Sequence, residues 1–392
     1  MWWLRRKSRE RENGAEVEPG LRDERGRCFV IGADYYVPEL EVPSEEIERR
    51  AGLASLGLRA GTLEAGTGVK SRRFAGPNEH PSTLATEACQ RLLDRLGINR
   101  KEVGSLLFAA NTMDEHEPIT AMRIHESLGL RQDTFVADIR DACNSALKAM
   151  ILGSGMIRSG MVSNVLVAVG ERLHDGICLN VRSKTELVTQ YLAGLTLGDA
   201  GAAVLLSSER SKHARCAEVV YQSWEVDSSK RDLARIEGLG TRFPADPEKI
   251  YFISNSKKLC QVAVEKLPAM MRSVCGKLGW ELSSIGVIPH QVSRGVITTI
   301  AKISGIPLKN LMITLDRFGN TGAATIPMAL AMAFENGFVR KFRRILLVGG
   351  AAGFSGAVLA LELLSQQIGQ VSQHLEQAAQ PAEVSPKAVF SN

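Results

Sequence analysis

The chain has 392 residues, of which 44% are hydrophobic and 23% charged, and its formal net charge is +5. This is the composition of an ordinary globular protein, long enough for two domains or one large duplicated fold. The charge is mild and no run of Lys and Arg is interleaved with aromatic residues, so we predict no nucleic-acid binding. The seven cysteines show no Cys-x-x-Cys spacing and no His/Cys/Asp cluster has the spacing of metal ligands. We therefore expect reduced thiols, no metal and a cytoplasmic location.

Both ends of the sequence predict disorder. Residues 1–27 are charged and lack apolar periodicity, and residues 366–392 are rich in Gln, Ala, Ser and Pro. Near the start, apolar residues precede the basic ones, which is the reverse of a secretory signal peptide. The longest uncharged run, 345–361, has a glycine-rich centre at 349–356. It predicts two buried strands joined by a turn, so we expect no stable membrane insertion.

Between these ends, short apolar segments alternate with amphipathic ones. The alternation predicts a layered α/β architecture with parallel pairing. Two stretches of similar order predict two halves, over 28–210 and 211–365. The predicted strands are 28–33, 105–110, 134–138, 164–169, 202–206, 284–289, 311–315 and 344–348, and the predicted helices are 82–96, 121–128, a segment after Cys143, 262–275, 295–303 and 323–335.

A cysteine stands at the junction of a predicted strand and a predicted helix. Cys143 lies in the stretch 138–147 (Asp-Ile-Arg-Asp-Ala-Cys-Asn-Ser-Ala-Leu). At the beginning of a helix, unpaired N–H groups and the positive end of the dipole favour a thiolate, the form that attacks a thioester. Downstream lie His290, in Pro-His-Gln, and Asn320, in Phe-Gly-Asn-Thr-Gly. Each residue alone also fits a plain structural role, but the three together predict a carbonyl-condensing enzyme.

Several sequence blocks together resemble the β-ketoacyl-acyl-carrier-protein synthase III family of the thiolase superfamily. The resemblance covers residues 28–362 and implies a thiolase fold of two duplicated βαβαβαββ halves in five layers, α-β-α-β-α. It also implies a homodimer that takes acyl-CoA or acyl-carrier-protein thioesters as substrates and needs no cofactor. Besides the cysteine stretch, the blocks are 67–75 (Thr-Gly-Val-Lys-Ser-Arg-Arg-Phe-Ala), 197–205 (Leu-Gly-Asp-Ala-Gly-Ala-Ala-Val-Leu), 288–293 (Ile-Pro-His-Gln-Val-Ser) and 314–327 (Thr-Leu-Asp-Arg-Phe-Gly-Asn-Thr-Gly-Ala-Ala-Thr-Ile-Pro).

The resemblance also implies a role for each site residue. Cys143 would accept the acyl group. His290 and Asn320 would donate hydrogen bonds to the thioester oxygen of the second substrate as enolate charge develops there. The amide of Cys143, with a backbone N–H near Ala352 or Gly353, would hold the first oxyanion.

Glu117 departs from the family pattern. It stands before Pro118 in 114–120 (Asp-Glu-His-Glu-Pro-Ile-Thr), where synthase III enzymes usually carry a Phe that reaches across the dimer into the partner's acyl pocket. A Glu-Pro pair there resembles the head-to-head condensing thiolase of olefin biosynthesis. An acyl-CoA with no carboxylate to lose must be deprotonated beside its thioester, and a Glu in an apolar pocket could serve as that base. The alternative is a solvated loop carboxylate.

Other departures concern substrate delivery. Residues 62–66 (Thr-Leu-Glu-Ala-Gly) lack the Trp and Arg with which family members that use CoA commonly clamp adenine, which favours a carrier-protein donor. Ser293 replaces an Asn of the family's His-Gln-Ala-Asn block. The glycine-rich segment 349–356 is one residue shorter than in the family.

Three functions remain open at this point. The first is a Claisen condensation, either decarboxylative with a malonyl thioester or non-decarboxylative with Glu117 as base. The second is an acyltransferase that passes the Cys143-bound acyl group to an alcohol or amine, which would tolerate Asn320→Ala because no enolate forms. The third is a non-catalytic partner subunit, which the retention of Cys143, His290 and Asn320 disfavours.

Overall fold

A computed structural model describes residues 26–210, 216–238 and 240–364. The predicted tail 366–392, and all of 1–27 except its last two residues, therefore lie outside the described part of the chain. Within that part, every helix is too short or too polar to span a bilayer.

The described residues form strands and helices whose order alternates along the chain. The strands are β1 (Phe29–Tyr36), β2 (Leu40–Pro43), β3 (Ser71–Phe74), β4 (Ser105–Ala109), β5 (Phe135–Ile139), β6 (Asn164–Glu171), β7 (Ala200–Ser207), β8 (Ala217–Val226), β9 (Ala234–Arg235), β10 (Ile253–Ser254), β11 (Gly286–Pro289), β12 (Arg344–Ala351) and β13 (Ser355–Leu363). The helices are α1 (Ser44–Arg50), α2 (Thr62–Thr67), α3 (Pro81–Leu96), α4 (Thr120–Leu128), α5 (Ser145–Arg158), α6 (Lys184–Glu186), α7 (Ser256–Leu278), α8 (Arg294–Ser304), α9 (Leu315–Phe318), α10 (Thr325–Glu335) and α11 (Phe338–Lys341).

Nine strands pair in one continuous mixed order, β11-β12-β13-β8-β1-β7-β6-β4-β5. The five strands from β5 to β1 come from the first half of the chain and the other four from the second half. The two runs meet where β1 pairs with β8 over two residue pairs. Parallel pairing joins β4 to β5, β4 to β6 and β11 to β12, and the other pairs are antiparallel. The predicted α/β class is confirmed, but only three pairs of neighbouring strands in this sheet are parallel.

Both faces of the main strands are buried, which explains why they read as continuous apolar runs. Along β6, Val165 and Val167 point into a middle core and Leu166 points into an outer core. Along β12, Leu347 points into the same middle core and Leu346 into a second outer core on the far side. Because side chains alternate along a strand, each run of strands separates two cores.

Helices fill these cores and complete the layers. The middle core holds α5 and α10, one outer core holds α3 and α4, and the other holds α7 and α8. The order across the molecule is therefore helices, strands, helices, strands, helices. The predicted five-layer arrangement is present.

The predicted strand over 311–315 is wrong. This segment makes an isolated contact with β11, where Met312 donates its N–H to the Val287 oxygen at 3.0 Å. The backbone groups that follow bond to the side chain of Gln291. Its Nε2 donates to the Met312 oxygen at 3.1 Å, and its Oε1 accepts from the Thr314 N–H at 3.2 Å. The side-chain amide takes the place of a neighbouring strand, so no ladder forms.

The close packing of α3 on β7 depends on Gly201. A Cβ atom at this position would lie 1.9 Å from the Leu84 oxygen, in the backbone of α3. We expect Gly201→Ala to lower the free energy of unfolding by about 3 kcal/mol, because backbone of the helix must move to admit the methyl group. Thermal denaturation measures the effect as a fall of several degrees in the midpoint.

Gly276 supplies a matched control. It lies in α7, and a Cβ atom there would meet nothing within 4 Å. Gly276→Ala should raise stability by about 0.5–1 kcal/mol through reduced backbone freedom in the unfolded chain. Equal midpoints for the two variants would contradict the packing described for α3.

The candidate active site

The chain turns sharply between β5 and α5, and Cys143 lies in this turn. Ala142 has a φ of +47°, a left-handed conformation that is rare for residues other than glycine. The turn is closed by the Asn144 N–H, which donates to the Asp141 oxygen at 2.9 Å, and by the Ser145 N–H and hydroxyl, which both donate to the Ala142 oxygen. Ala142 therefore has an unfavourable backbone conformation that its surroundings hold in place, and such residues cluster at functional sites.

The expectation that Cys143 rests as a thiolate is wrong. The residue keeps a partly exposed surface, but its thiol pKa is raised to about 12. Desolvation of the sulfur is the main cause, the charges of Glu171 and Asp141 add to it, and a backbone N–H opposes it. Burial and two carboxylates thus outweigh the helix end. The resting enzyme holds a neutral thiol at pH 7.

His290 follows β11 and is buried, with 6% of its surface exposed. Its N–H donates to the Val348 oxygen of β12 at 2.8 Å, which fixes the backbone. Neither ring nitrogen has a hydrogen-bond partner among the described residues. Burial lowers the pKa of His290 to about 4, so its imidazole is neutral at pH 7 and carries one N–H to donate. An unpartnered polar group at this depth costs about 1–3 kcal/mol, a penalty that a ligand's oxygen would remove.

Asn320 follows α9 and is held by three hydrogen bonds. Its N–H donates to the Thr196 oxygen at 2.8 Å, its backbone oxygen accepts from Gly198 at 3.0 Å, and its Oδ1 accepts from the Gly322 N–H at 3.0 Å. Because Oδ1 is occupied by a donor, the Nδ2 group is left to donate to another molecule. Gly319 is required before it, since its φ is +65° and a Cβ atom would lie 2.4 Å from the Thr196 oxygen.

The glycine-rich segment forms the predicted turn between two buried strands, β12 and β13. Ala352 and Gly353 lie at its tip. The hairpin is tied to the cysteine turn, since the Ser355 hydroxyl donates to Asp141 at 2.6 Å and the Asn144 amide donates to the Ser355 oxygen. Backbone N–H groups of the tip and the cysteine turn therefore belong to one hydrogen-bonded unit.

Close packing extends that unit toward His290. A Cβ atom at Gly349 would lie 1.9 Å from Oδ1 of Asn144, so only glycine fits beside the cysteine turn. Gly349 directly follows Val348, the residue that accepts the backbone N–H of His290. Cys143, His290 and the hairpin tip are thus linked through adjoining residues.

Glu117 lies on the loop between β4 and α4 and is exposed to solvent within a single chain. The loop is anchored by Asp114, which accepts from the Ser82 N–H and hydroxyl, and by an ion pair of 2.6 Å between Glu115 and Arg123. The described residues of a single chain therefore do not supply the apolar surroundings expected for a base.

An apolar cavity of about 50 Å³ opens beside His290. It lies between α7 and α8, with Leu267 and Met271 on one side and Ile297 and Ile300 on the other. His290 is the one lining residue whose side chain carries hydrogen-bonding groups. Its largely apolar lining favours apolar groups over polar ones.

Two buried polar residues with structural tasks in this region were not assigned roles from the sequence. Gln291 binds the backbone of the segment 311–315 through its side-chain amide. Glu171, the last residue of β6, is fully buried and accepts hydrogen bonds from two loops of the site. The signal that could have revealed it is a carboxylate directly after the apolar run 165–170, a position that pays a high desolvation cost unless donors surround it.

Sequence comparison identifies the family. The model of 3-oxoacyl-[acyl-carrier-protein (ACP)] synthase III matches residues 137–224, and that of its C-terminal part matches residues 275–363. The β-ketoacyl-[acyl-carrier-protein] synthase III of Roseiflexus sp. (strain RS-1) is 30% identical over 306 residues, which are 76% of this chain and 88% of the relative. That of Roseiflexus castenholzii is 29% identical over 338 residues, or 84% and 97%.

Solved structures agree on the fold. OleA of Xanthomonas campestris with bound cerulenin has a TM-score of 0.76 at 22% identity and covers 86% of this chain and 96% of its own. FabH of Pseudomonas aeruginosa PAO1, a 3-oxoacyl-(acyl carrier protein) synthase III, has a TM-score of 0.73 at 23% identity, with 86% and 98% covered. The predicted thiolase fold is confirmed. The chain belongs to the 3-oxoacyl-[acyl-carrier-protein] synthase III family of condensing acyltransferases.

Proposed function

We propose that Cys143, His290 and Asn320 carry a Claisen condensation that joins a cysteine-bound acyl group to a second acyl thioester. The observation that supports these roles best is the buried, neutral imidazole of His290, whose two ring nitrogens have no partner in the described structure. Burying the ring of His290 without a hydrogen-bond partner costs free energy. Its N–H is therefore free to donate to the oxygen on which enolate charge develops.

In the first step, Cys143 attacks the carbonyl of an acyl thioester. The thiol proton leaves with the departing thiol of CoA or of the carrier protein, and a new thioester forms on the protein. We propose that the N–H of Cys143 and an N–H at Ala352 or Gly353 hold the oxyanion, since the hairpin tip and the cysteine turn form one hydrogen-bonded unit. The relatives are β-ketoacyl-[acyl-carrier-protein] synthases III, which supports a carrier-protein substrate and a cytoplasmic setting. The reaction needs neither metal nor cofactor.

In the second step, the next acyl thioester becomes an enolate. The N–H of His290 and the Nδ2 group of Asn320 donate to its thioester oxygen, and each such donor contributes about 3 kcal/mol to transition-state stability. The α-carbon then attacks the Cys143 thioester. The C–C bond forms and the C–S bond breaks, which releases the β-ketoacyl product. The thiolate of Cys143 then takes a proton from solvent or from the base that removed the α-proton, which restores the free enzyme.

The protein acts as a homodimer in this proposal. β5 lies at one end of the strand order, so its outer backbone groups have no neighbouring strand among the described residues. Phe135 on β5 and Met122 on α4 are exposed by 44% and 52%, which forms an apolar surface next to an open strand edge. Such an edge is a template for pairing with a second copy. Because Glu117 lies on the loop that leads into α4, the same contact would carry it into the partner.

We propose that Glu117 removes the α-proton of a saturated acyl thioester in the partner's site. Covered by apolar side chains there, its carboxylate would become a stronger base than in water. The enzyme would then perform head-to-head condensation as well as the decarboxylative reaction. A malonyl thioester loses CO₂ to give its enolate and does not need Glu117.

The test is Glu117→Gln, which keeps the shape of the side chain and removes the base. We expect it to abolish the β-keto product from saturated acyl-CoA and to spare malonyl-dependent condensation, both measured by mass spectrometry of extracted products. Glu115→Gln is the matched control, because Glu115 lies two residues away and is paired with Arg123. Equal product from wild type and Glu117→Gln on saturated acyl-CoA would refute the base assignment. No wild-type product without malonyl thioester would restrict the enzyme to decarboxylative condensation.

A further inference from the structure

Glu171 is a buried carboxylate surrounded by five hydrogen-bond donors. Its Oε1 accepts from the Asn111 N–H at 3.0 Å, the Asn111 side-chain amide at 3.1 Å and the Ala323 N–H at 3.0 Å. Its Oε2 accepts from the Thr112 N–H at 3.2 Å and the Thr112 hydroxyl at 2.9 Å. Four of these five donors are N–H groups, which cannot accept a hydrogen bond, so the surroundings suit the ionised carboxylate better than a protonated carboxyl.

No Lys, Arg or His pairs with this carboxylate in the described ranges. Desolvation leaves the pKa of Glu171 raised, although the hydrogen bonds from Asn111, Ala323 and Thr112 oppose that change. A buried carboxylate without an ion partner is expensive, and an apolar residue would serve a purely structural strand end at lower cost. The carboxylate therefore calls for another explanation.

One of the two loops that Glu171 holds carries Asn320. The Ala323 N–H donates to Glu171, and a Cβ atom at Gly322 would lie 2.9 Å from Oε1, so the loop rests directly on the carboxylate. Gly322 in turn donates its N–H to Oδ1 of Asn320. Glu171 thus fixes the residue that sets the orientation of the Asn320 amide.

The other loop, residues 110–112, leads from β4 and contacts the cysteine turn. Arg140, three residues before Cys143, donates to the Asn111 oxygen at 3.1 Å. The Ser145 hydroxyl lies 3.5 Å from the Ala110 oxygen. Glu171 is therefore the hub that joins the Asn320 loop to the loop beside Cys143.

We propose that Glu171 is a positioning residue of the condensation, a buried carboxylate that locks the loop of Asn320 against the loop beside Cys143 so that donor and nucleophile keep one relative geometry. The inference rests on the roles proposed above for Cys143 and Asn320. It assigns Glu171 no contact with substrate. As a second consequence, its negative charge disfavours the Cys143 thiolate in the resting enzyme.

The experiment compares Glu171→Gln with wild type in two assays. In Glu171→Gln, an amide NH₂ replaces one acceptor oxygen and faces donors, so one of the two loops is released. We expect acylation of Cys143 to persist while condensation of the acyl-enzyme falls about 10²-fold, the size of effect that a misplacement of about 1 Å produces. In the second assay, the rate of Cys143 alkylation by iodoacetamide is followed against pH. Its profile should move to lower pH in Glu171→Gln, because a negative charge near the thiol is removed.

Two further variants separate charge from position. Glu171→Asp keeps the charge but shortens the side chain, so condensation should fall while the alkylation profile stays close to wild type. Glu48→Gln is the matched control, since Glu48 is another buried carboxylate that accepts backbone N–H groups, from Gly61 at 2.9 Å and Leu63 at 2.6 Å. Its alkylation profile should not move.

Each result bears on the proposal. Wild-type condensation and an unmoved profile in Glu171→Gln would overturn it, and so would unfolding of both Glu171 variants, because the carboxylate would then be structural only. Alkylation needs no substrate, so it tests Glu171 even if wild type fails to form an acyl-enzyme. That failure would instead refute the proposed function.

Discussion

Asn320→Ala and His290→Ala are each expected to slow condensation by about 10²–10³-fold while Cys143 is still acylated. Each removes one donor from the enolate oxygen, and the loss of one such donor costs about 3–4 kcal/mol in the transition state. Acylation should be spared, because the donors proposed for its oxyanion are backbone groups of the cysteine turn and the hairpin. The two steps can be separated by intact-protein mass spectrometry of the acyl adduct and by product formation from the preformed acyl-enzyme.

Neither substitution should unfold the protein. The ring of His290 makes no hydrogen bond within the described structure, so its removal leaves no buried partner without a bond. The Asn320 side chain accepts one bond, from Gly322. Asn99→Ala is a suitable control, because Asn99 accepts from the Lys101 N–H in an exposed turn away from these loops. Thermal midpoints measured beside the rates verify that the variants remain folded.

The same variants discriminate between the enzyme classes. Transfer of the acyl group to an alcohol or amine passes through no enolate, so Asn320→Ala would then retain its activity. Full activity of Asn320→Ala together with an ester or amide product would contradict condensation. Loss of β-keto product with retained acylation supports it.

The sequence was informative wherever a pattern reflects local chemistry. β6 and β12 read as apolar runs because both of their faces are buried, and the glycine-rich segment 349–356 reads as a turn because the chain doubles back there. The strand-to-helix junction at Cys143 was also predicted correctly. These features allowed the α/β class and the position of the nucleophile loop to be predicted without coordinates.

Features that depend on distant residues were missed. The segment 311–315 looks like a strand, but the Gln291 side chain, 21 residues before Met312, occupies its backbone groups. The raised pKa of the Cys143 thiol comes mainly from burial, and the charge of Glu171, 28 residues further along the chain, adds to it. Local helix geometry predicted the opposite charge state, since a helix end is visible in sequence and a neighbouring buried carboxylate is not. Glu117 is exposed in the single chain, and the local sequence did not decide between a base and a solvated loop carboxylate.

The second large effect is expected from replacing Cys143, the proposed nucleophile. Cys143→Ala removes the one atom that can hold an acyl group in the proposed reaction, so the acyl-enzyme and all condensation product should vanish. The substitution removes only a sulfur atom from a turn that backbone and Ser145 hydrogen bonds close, so the fold should persist. Cys89 offers no substitute, since it is fully buried in the outer core of α3 and desolvation raises its thiol pKa.

The most direct test is intact-protein mass spectrometry of wild type and Cys143→Ala, each incubated with a panel of acyl-CoAs with and without malonyl carrier protein. We predict an acyl adduct on wild type that is absent from Cys143→Ala and that disappears as β-keto product forms. Turnover of that adduct by a second saturated acyl-CoA alone would support the head-to-head reaction, and turnover only with malonyl carrier protein would leave the decarboxylative one. An adduct of equal yield on both proteins, or product formed by Cys143→Ala, would contradict the assignment of Cys143 as the nucleophile.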